Sequence, residues 1–533
     1  MSSTPLSSIT PTAQAAWADQ HATARRIETD WRSALVSFIA SCVAGIALAF
    51  SHEYEALFPL ALVAIAGFLG VASIARRRAF GFVLGFVFGV SCFGTGLPWL
   101  FDLLDRREAP LAAWLLPALL IAALSVPTAV VGVCVAGQKQ SRARRVLLIA
   151  PAMWIAFDWL RHQGEVAFPW FSVGYSQVAA SPLAGYAPLG GVLLMGFVTV
   201  LIGALLAVAV LRRDLRSCTL TTAVALLAIG AGLQHIVWTT ASNASLRIAV
   251  LQGNIGASHK FDATALSRTL SRYESLIRSS RADIMLLSES ALPLPAHALG
   301  GYLGALRKHA RESGTDVLLG AFEIDPDSGQ RYSSAINLGP SGTQIYRKRH
   351  LVPFGDYVPW AAELYGTVQR IPFSDTARGA AEQPLPLLGD GRVAIAICYD
   401  DAFGERMRAD AAAAGWIANL SNDSWADSLS MQRQHARMAQ ARALEFGRPL
   451  LRAADTGKSG LIDERGRWVD SLPLNEVGAL EAQVVPRSGV TPYAWWGDRA
   501  ALVMCLFALM AALLFRIRSN DPESLTAENR NDH

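Results

Sequence analysis

The sequence predicts a multi-span α-helical membrane domain joined to an α/β domain, and three observations carry that prediction. The 533 residues are 52% hydrophobic and only 17% charged, too apolar for an ordinary soluble chain of this length. Long apolar runs fill the stretch up to residue 238 and return at 501–515. Between them, 239–497 has the composition of a soluble domain, with short apolar strands alternating with helical stretches.

Residues 1–32 are polar and lack the apolar core and cleavage site of a signal peptide, so they read as a disordered tail. A bilayer core takes about 20 mostly apolar residues per helix. Eight stretches qualify, near 33–50, 57–75, 80–100, 110–137, 146–160, 184–211, 219–238 and 498–516. The fifth is the weakest, because WIAFDWLRHQ carries Asp158 and Arg161. In the third, Gly81, Gly85 and Gly89 recur at four-residue spacing, which predicts close approach by another helix.

Basic residues in the short loops orient these spans. Arg76, Arg77 and Arg78 follow the second, Lys139, Arg142, Arg144 and Arg145 the fourth, and Arg212, Arg213 and Arg216 the sixth. Opposite loops are nearly free of Lys and Arg: 51–56 and 162–183 have none, and 101–109 has Arg106 and Arg107. The amino terminus and the tail at 517–533 are therefore expected in the cytoplasm, and 239–497 across the membrane. A net charge of +4, with no basic face interleaved with aromatics, argues against nucleic acid as a partner.

Within 239–497 the predicted strands are 246–255, 282–290, 316–324, 333–339, 392–398, 415–422 and 449–455, and the predicted helices 262–280, 300–313, 402–413 and 429–446. The last helix stops at Gly447 with Pro449 beyond. DTGKSG at 455–460 lacks the earlier glycine of a phosphate loop and reads as a hairpin turn. The histidines and cysteines form no cluster with metal-ligand spacing, so no metal is expected.

Five cysteines, Cys42, Cys92, Cys134, Cys218 and Cys505, fall in or beside spans, where a cysteine is usually a small apolar packing residue. Cys398 alone belongs to the polar domain, and it ends the strand-like run AIAIC just before the start of a helix. Outside the cytoplasm an unpaired thiol invites oxidation unless it has work to do. A helix N-terminus favours the thiolate. A buried structural cysteine is the competing reading, and position alone does not separate the two. A thiol nucleophile needs a base and a donor for the oxyanion. Glu289 in SES and Lys348 in YRKRHLVPFGDYVP end other strands and are candidates for those roles, and His350 and His435 are lower-ranked bases because neither sits at a strand end.

These residues, in this order, resemble the carbon–nitrogen hydrolase (nitrilase) superfamily, whose Glu-Lys-Cys triad lies on an αββα sandwich. Taken with the spans, the chain is more closely similar to the apolipoprotein N-acyltransferase family. PAMWIAFDWLR (151–161), FPWFSVGYSQ (168–177), VLQGNI (250–255), SESALP (288–293), YRKRHLVPFGDYVP (346–359), ICYDDAFGE (397–405), NLSNDSWADS (419–428) and ARALEFGRPLLRAADTG (441–457) carry the likeness, which extends over about 33–516. The resemblance implies Glu289, Lys348 and Cys398 as catalytic residues, Asp356, Tyr399 and Asp400 as their supports, and Phe261, Trp360 and Trp425 as substrate-binding residues, with Trp360 a candidate lid. It further implies eight spans, a periplasmic catalytic domain between the seventh and eighth, and a monomer in the bacterial inner membrane. The implied reaction moves an acyl chain from a phospholipid, through a thioester, to the α-amine of a diacylglyceryl-modified apolipoprotein, with no cofactor. A membrane-tethered amidase, or a paralogue with another acyl acceptor, is the alternative. The family usually has glutamate at Asp356 and Asp400, tryptophan at Phe261, and an aromatic at Ala426, departures that bear on rate and acyl preference.

Overall fold

The computed structural model describes residues 11–105, 110–137, 142–256, 263–358, 375–389, 391–426 and 428–519. Helix α1 (Pro11–Glu53) runs from within the stretch that reads as a tail straight into the first apolar run, because its Ala, Gln and Arg residues favour helix. It is followed by α2 (Phe58–Ile74), α3 (Arg78–Gly96), α4 (Pro110–Val135), α5 (Ala150–Arg161), α6 (Ala187–Leu211) and α7 (Arg216–Leu233). Among the described residues, six helices are long and apolar enough to cross a membrane: Trp31–Glu53, Glu55–Ile74, Arg78–Gly96, Trp114–Val135, Pro182–Leu211 and Arg213–Leu233. Arg499–Phe515, near the carboxyl end, is a shorter apolar helix. The stretch expected as the fifth span is a π-helical turn, Arg145–Ile149, leading into α5. Its two charges are not idle: Asp158 accepts from Arg161 at 2.5 Å and from the Val173 amide at 3.1 Å, and Arg161 donates to the Trp170 carbonyl at 2.8 Å. The glycines of α3 do what their spacing predicts, since a Cβ at Gly85 would stand 2.2 Å from the Thr128 carbonyl oxygen of α4.

The polar domain is a four-layer sandwich. Its first sheet holds β1 (Leu246–Gln252), β2 (Ile284–Leu287), β3 (Asp316–Ile324), β4 (Arg331–Leu338), β5 (Ile345–Arg347) and the late strand β11 (Gly478–Val484), in the order β11-β1-β2-β3-β4-β5. The second orders β10 (Trp468–Ser471), β9 (Gly460–Ile462), β8 (Leu450–Ala454), β7 (Trp416–Ser421), β6 (Gly391–Ile397) and the short Leu387–Leu388. DTGKSG is the connection between the antiparallel strands β8 and β9. β1, β2 and β3 are parallel, as are β6, β7 and β8.

Because strand side chains alternate faces, each sheet splits its apolar residues between two cores. Ile248, Val250, Leu286 and Leu318 meet Ile395, Ile397, Ala418, Leu420 and Leu451 between the sheets. Their neighbours Ala249, Leu251, Met285 and Leu319 point the other way, onto Tyr273 and Ile277 of α8 (Ala263–Ser279) and Leu303 and Leu306 of α9 (Gly300–Ser313). Ala394, Ala396 and Ile417 likewise cover Met407 and Ala411 of α10 (Gly404–Ala413) and Ala439, Ala443 and Phe446 of α11 (Leu429–Phe446). The final helix, α12 (Arg499–Ser519), returns to the apolar bundle.

Membrane helices and sandwich share one core. Tyr399, Ala402, Phe403, Ala426, Met431 and Met438 are buried in the same cluster as Trp99, Trp154, Trp170 and Phe171. Helix α11 supplies the polar fastening: Arg437 donates to the Ser51 carbonyl at 3.0 Å, Ser430 and Arg433 bond Glu53, and Glu445 accepts from the Val192 amide at 2.8 Å.

Candidate active site

Strand chemistry brings three side chains to one edge of the sandwich. β5 is antiparallel to β4, which is antiparallel to β3, so β5 runs in the direction of β2 and β3. Their carboxyl ends therefore lie on the same side, and Glu289 follows β2 by two residues while Lys348 directly follows β5. Cys398 directly follows β6 and faces the space between the sheets.

The resulting cluster is hydrogen-bonded, with Lys348 and Glu289 buried and Asp356 half-buried. Lys348, 1% exposed, places Nζ 2.9 Å from Glu289 Oε1 and 2.8 Å from Asp356 Oδ2. Glu289 also accepts from the Ser333 hydroxyl at 3.3 Å, and Asp356 from the Val352 amide at 2.8 Å. Burial works against the Lys348 charge, but the carboxylates of Asp356 and Glu289 outweigh it and hold the ammonium well above its usual pKa. The Cys398 thiol is pushed well above its ordinary value by burial and by the Glu289 charge, which the Lys348 ammonium opposes. Ionisation of the sulfur is thus opposed, and attack calls for a base.

Two of the positive-φ non-glycine residues lie at this site. Cys398 has φ of 50°, and Ser290, next to Glu289, has φ of 49°. A non-glycine residue pays about 1–3 kcal/mol for such a conformation. Asp400 holds the Cys398 turn by accepting from the Ile397 amide at 3.1 Å and from the His350 amide at 2.6 Å, so one carboxylate ties the turn after β6 to the loop after Lys348. Burial raises the Asp400 pKa to about 6 against the pull of Arg349 and Lys348. Tyr399 is buried, donates to the Ala167 carbonyl at 2.9 Å and stacks on Trp170, with centroids 6.1 Å apart. Trp425 stands edge-on to Trp99 at 5.6 Å. Phe261 and Trp360 lie outside the described residues. Among the described residues no group of His, Cys, Asp and Glu has an arrangement that could hold a metal ion.

The carboxyl half of the chain, residues 247–493, matches the carbon–nitrogen hydrolase family, and residues 44–205 match the apolipoprotein N-acyltransferase N-terminal domain. A protein of Nitrosomonas europaea described as apolipoprotein N-acyltransferase is 35% identical, over 89% of this chain and 95% of its own. This chain belongs to the apolipoprotein N-acyltransferase family. Relatives of the same description from Chromobacterium violaceum (34% identical, 90% of this chain and 94% of theirs) and Pseudomonas aeruginosa PAO1 (33%, 91% and 97%) agree. The protein is an acyltransferase of the carbon–nitrogen hydrolase superfamily, with a multi-pass apolar domain at its amino end.

Neither histidine offered as an alternative base is free to serve. The His350 ring stacks on Phe403, centroids 3.7 Å apart, and burial together with Arg406 lowers its pKa to about 3. His435 has both ring nitrogens engaged, Nδ1 at 2.8 Å from Asp423 and Nε2 at 3.1 Å from Asp401. Sequence reading missed the residues around it. Arg452, on β8, completes contacts to both carboxylates, 3.2 Å to Asp401 and 2.9 Å to Asp423. Gln434 accepts from the indoles of Trp99 and Trp170 at 3.3 and 2.7 Å and donates to the Gly96 carbonyl at 2.8 Å. The available signal was compositional: QRQHARMAQARALEF places polar and charged side chains all round α11, and the structure buries nearly all of them.

Proposed function

We propose that this protein transfers an acyl chain from a phospholipid to the α-amino group of a lipidated lipoprotein cysteine, in two steps through Cys398. In the first step Glu289 takes the thiol proton as the sulfur attacks the ester carbonyl of the phospholipid. The oxyanion that forms sits beside the Lys348 ammonium, which stabilises it as charge develops. Collapse expels the lysophospholipid alkoxide, which leaves with the proton from Glu289, and the acyl group remains on sulfur. In the second step the α-amine attacks the thioester, Glu289 accepts the amine proton, Cys398 departs as thiolate and is reprotonated, and an amide results. A thioester is more reactive toward amines than the oxygen ester it came from, which favours the second step. Asp356 steadies Lys348, and Asp400 and Tyr399 steady the Cys398 turn.

The observation that carries this reading is the buried Glu289–Lys348 pair, with Asp356 on its ammonium, lying beside a thiol on a positive-φ turn. The packing of Tyr399, Phe403 and Trp425 against Trp99 and Trp170 supports lipid-borne substrates, since it sets the Cys398 turn directly against the apolar helices. Acting on lipoproteins, the sandwich would occupy 239–497 on the periplasmic side of the bacterial inner membrane, between a seventh crossing at α7 and an eighth at α12, with α5 supplying the fifth, in a monomer. Phe261 and Trp360 would contact substrate.

Full-length protein incubated with phospholipid is expected to gain one acyl mass on the Cys398 peptide, removable by hydroxylamine and discharged by a diacylglyceryl peptide. Cys398→Ala abolishes the adduct, and Glu289→Gln slows its formation by about 10²–10⁴-fold. Discharge by water as fast as by the peptide would make the enzyme an amidase-like hydrolase, and absence of any adduct would refute the scheme.

A further inference from the structure

Four charged side chains, none of them part of the Glu289–Lys348 cluster, close a ring under the Cys398 turn. His435 of α11 contacts Asp401 and Asp423, and Arg452 of β8 contacts the same two, through the other oxygen of Asp401. All four are buried: Asp401, Asp423 and Arg452 are 0% exposed and His435 1%. Asp401 is three residues beyond Cys398 on the same turn. Asp423 and Arg452 lie within electrostatic reach of the sulfur.

Geometry dictates the charge on the imidazole. Arg452 also comes within 3.1 Å of Nδ1, so a neutral ring has a donor available there. A lone pair on Nδ1, however, would face the Asp423 oxygen at 2.8 Å, and one on Nε2 would face Asp401 at 3.1 Å. With a carboxylate oxygen at each nitrogen, the doubly protonated ring donates to both and sets no lone pair against either. Two carboxylates, one guanidinium and one imidazolium then sum to zero, and among buried groups an imbalance would act on the sulfur with less screening than at the surface.

We propose that His435 is a positioning residue for the nucleophile: its imidazolium neutralises the Asp401–Asp423–Arg452 ring and so keeps uncompensated negative charge from opposing ionisation of Cys398. The proposal rests on Cys398 being the nucleophile, and its test needs no acyl donor. The full-length protein in detergent micelles is treated with iodoacetamide at pH 8, and alkylation of the Cys398 peptide is followed by mass spectrometry.

Charge balance predicts effects of opposite sign. His435→Gln leaves one surplus negative charge and slows alkylation at least tenfold, the consequence of one unit in thiol pKa. Asp423→Asn leaves a surplus positive charge and speeds it. His435→Gln combined with Asp423→Asn restores neutrality and returns the rate to within threefold of the unsubstituted chain. A purely structural ring would instead slow the reaction in both single variants and further in the double, and either a slowed Asp423→Asn or a double variant no faster than His435→Gln overturns the proposal. Should His435→Gln fail to fold, the sign of the Asp423→Asn effect decides alone. Failure of the phospholipid adduct to form, with these alkylation rates as predicted, would refute acyl transfer and leave the role of His435 standing.

Discussion

At the scale of single residues, the site is organised by carboxylates that do different work because their surroundings differ. Glu289 and Asp356 share one ammonium, Asp400 accepts two backbone amides, and Asp401 and Asp423 bracket an imidazolium. The last arrangement makes stability depend on pH with a definite sign. Burial alone would lower the His435 pKa, but Asp401 and Asp423 outweigh it and Arg452 and raise it to about 9 from an ordinary 6.5. A folded value above the unfolded one means that the stabilisation is complete below about 6.5 and lost as pH rises through about 9. Thermal unfolding of the detergent-solubilised protein should therefore show a midpoint that falls between pH 7 and 9.5. In His435→Gln the midpoint should be lower at pH 7 and its decline across that window shallower, and an equal slope in both proteins would contradict the assignment.

At the scale of elements, the decisive feature is the way α11 and the start of α6 interlock. α6 is broken at Gly190 and Gly191, the latter with φ of 68° and ψ of −167°. That break frees the Val192 amide to donate to Glu445, which in turn pairs with Arg442 on α11 at 2.9 Å. A helix amide without an internal partner is thus satisfied by a buried carboxylate from the other domain. Any side chain at residue 191 would suffer the unfavourable backbone, and its Cβ would lie 2.5 Å from the Tyr493 ring. Gly191→Ala is expected to destabilise the protein by about 1–3 kcal/mol from the backbone alone. Its thermal midpoint should drop by several degrees, while Gly70→Ala, inside α2 where a Cβ meets nothing within 4 Å, should not lower it.

At the scale of the whole molecule, an apolar bundle and an αββα sandwich are fused through one hydrophobic core, so the catalytic edge cannot turn away from the helices without exposing it. The loops rich in Arg and the sandwich are expected on opposite faces of the bilayer. A cysteine introduced at Ser328, in an exposed turn of the sandwich, should react with a membrane-impermeant maleimide in intact inner-membrane vesicles of one orientation, and a cysteine at Arg77 only in vesicles of the other. Labelling of both from the same side would require an even number of crossings between them and would displace the sandwich to the cytoplasm.

Much of this was legible in the residues. Most strand and helix positions in the sandwich follow the period of the apolar residues, which is local information, and Glu289 and Cys398 are visible as polar residues closing the apolar runs of β2 and β6, whereas the three-residue β5 before Lys348 and the late strands β9, β10 and β11 were not among the predicted strands. Less was visible where chemistry depends on burial. His435 reads as a helix histidine off any strand end, Asp423 and Arg452 as ordinary charges, and Asp158 and Arg161 as flaws in a span. Each acquires its role from partners up to tens or hundreds of positions away, as Glu445 does from Val192.

The sequence by itself determined the class of fold and the candidate nucleophile with its acid and ammonium partners, because hydrophobic periodicity and strand ends are written along the chain, and its loop charges set the direction expected of the helices. The tertiary structure decided which charges face each other out of water. Electrostatic interactions depend on distance and dielectric, neither of which has any expression in residue order, so the closed ring beneath Cys398 and the fastening of α11 to the apolar bundle exist only once the chain is folded.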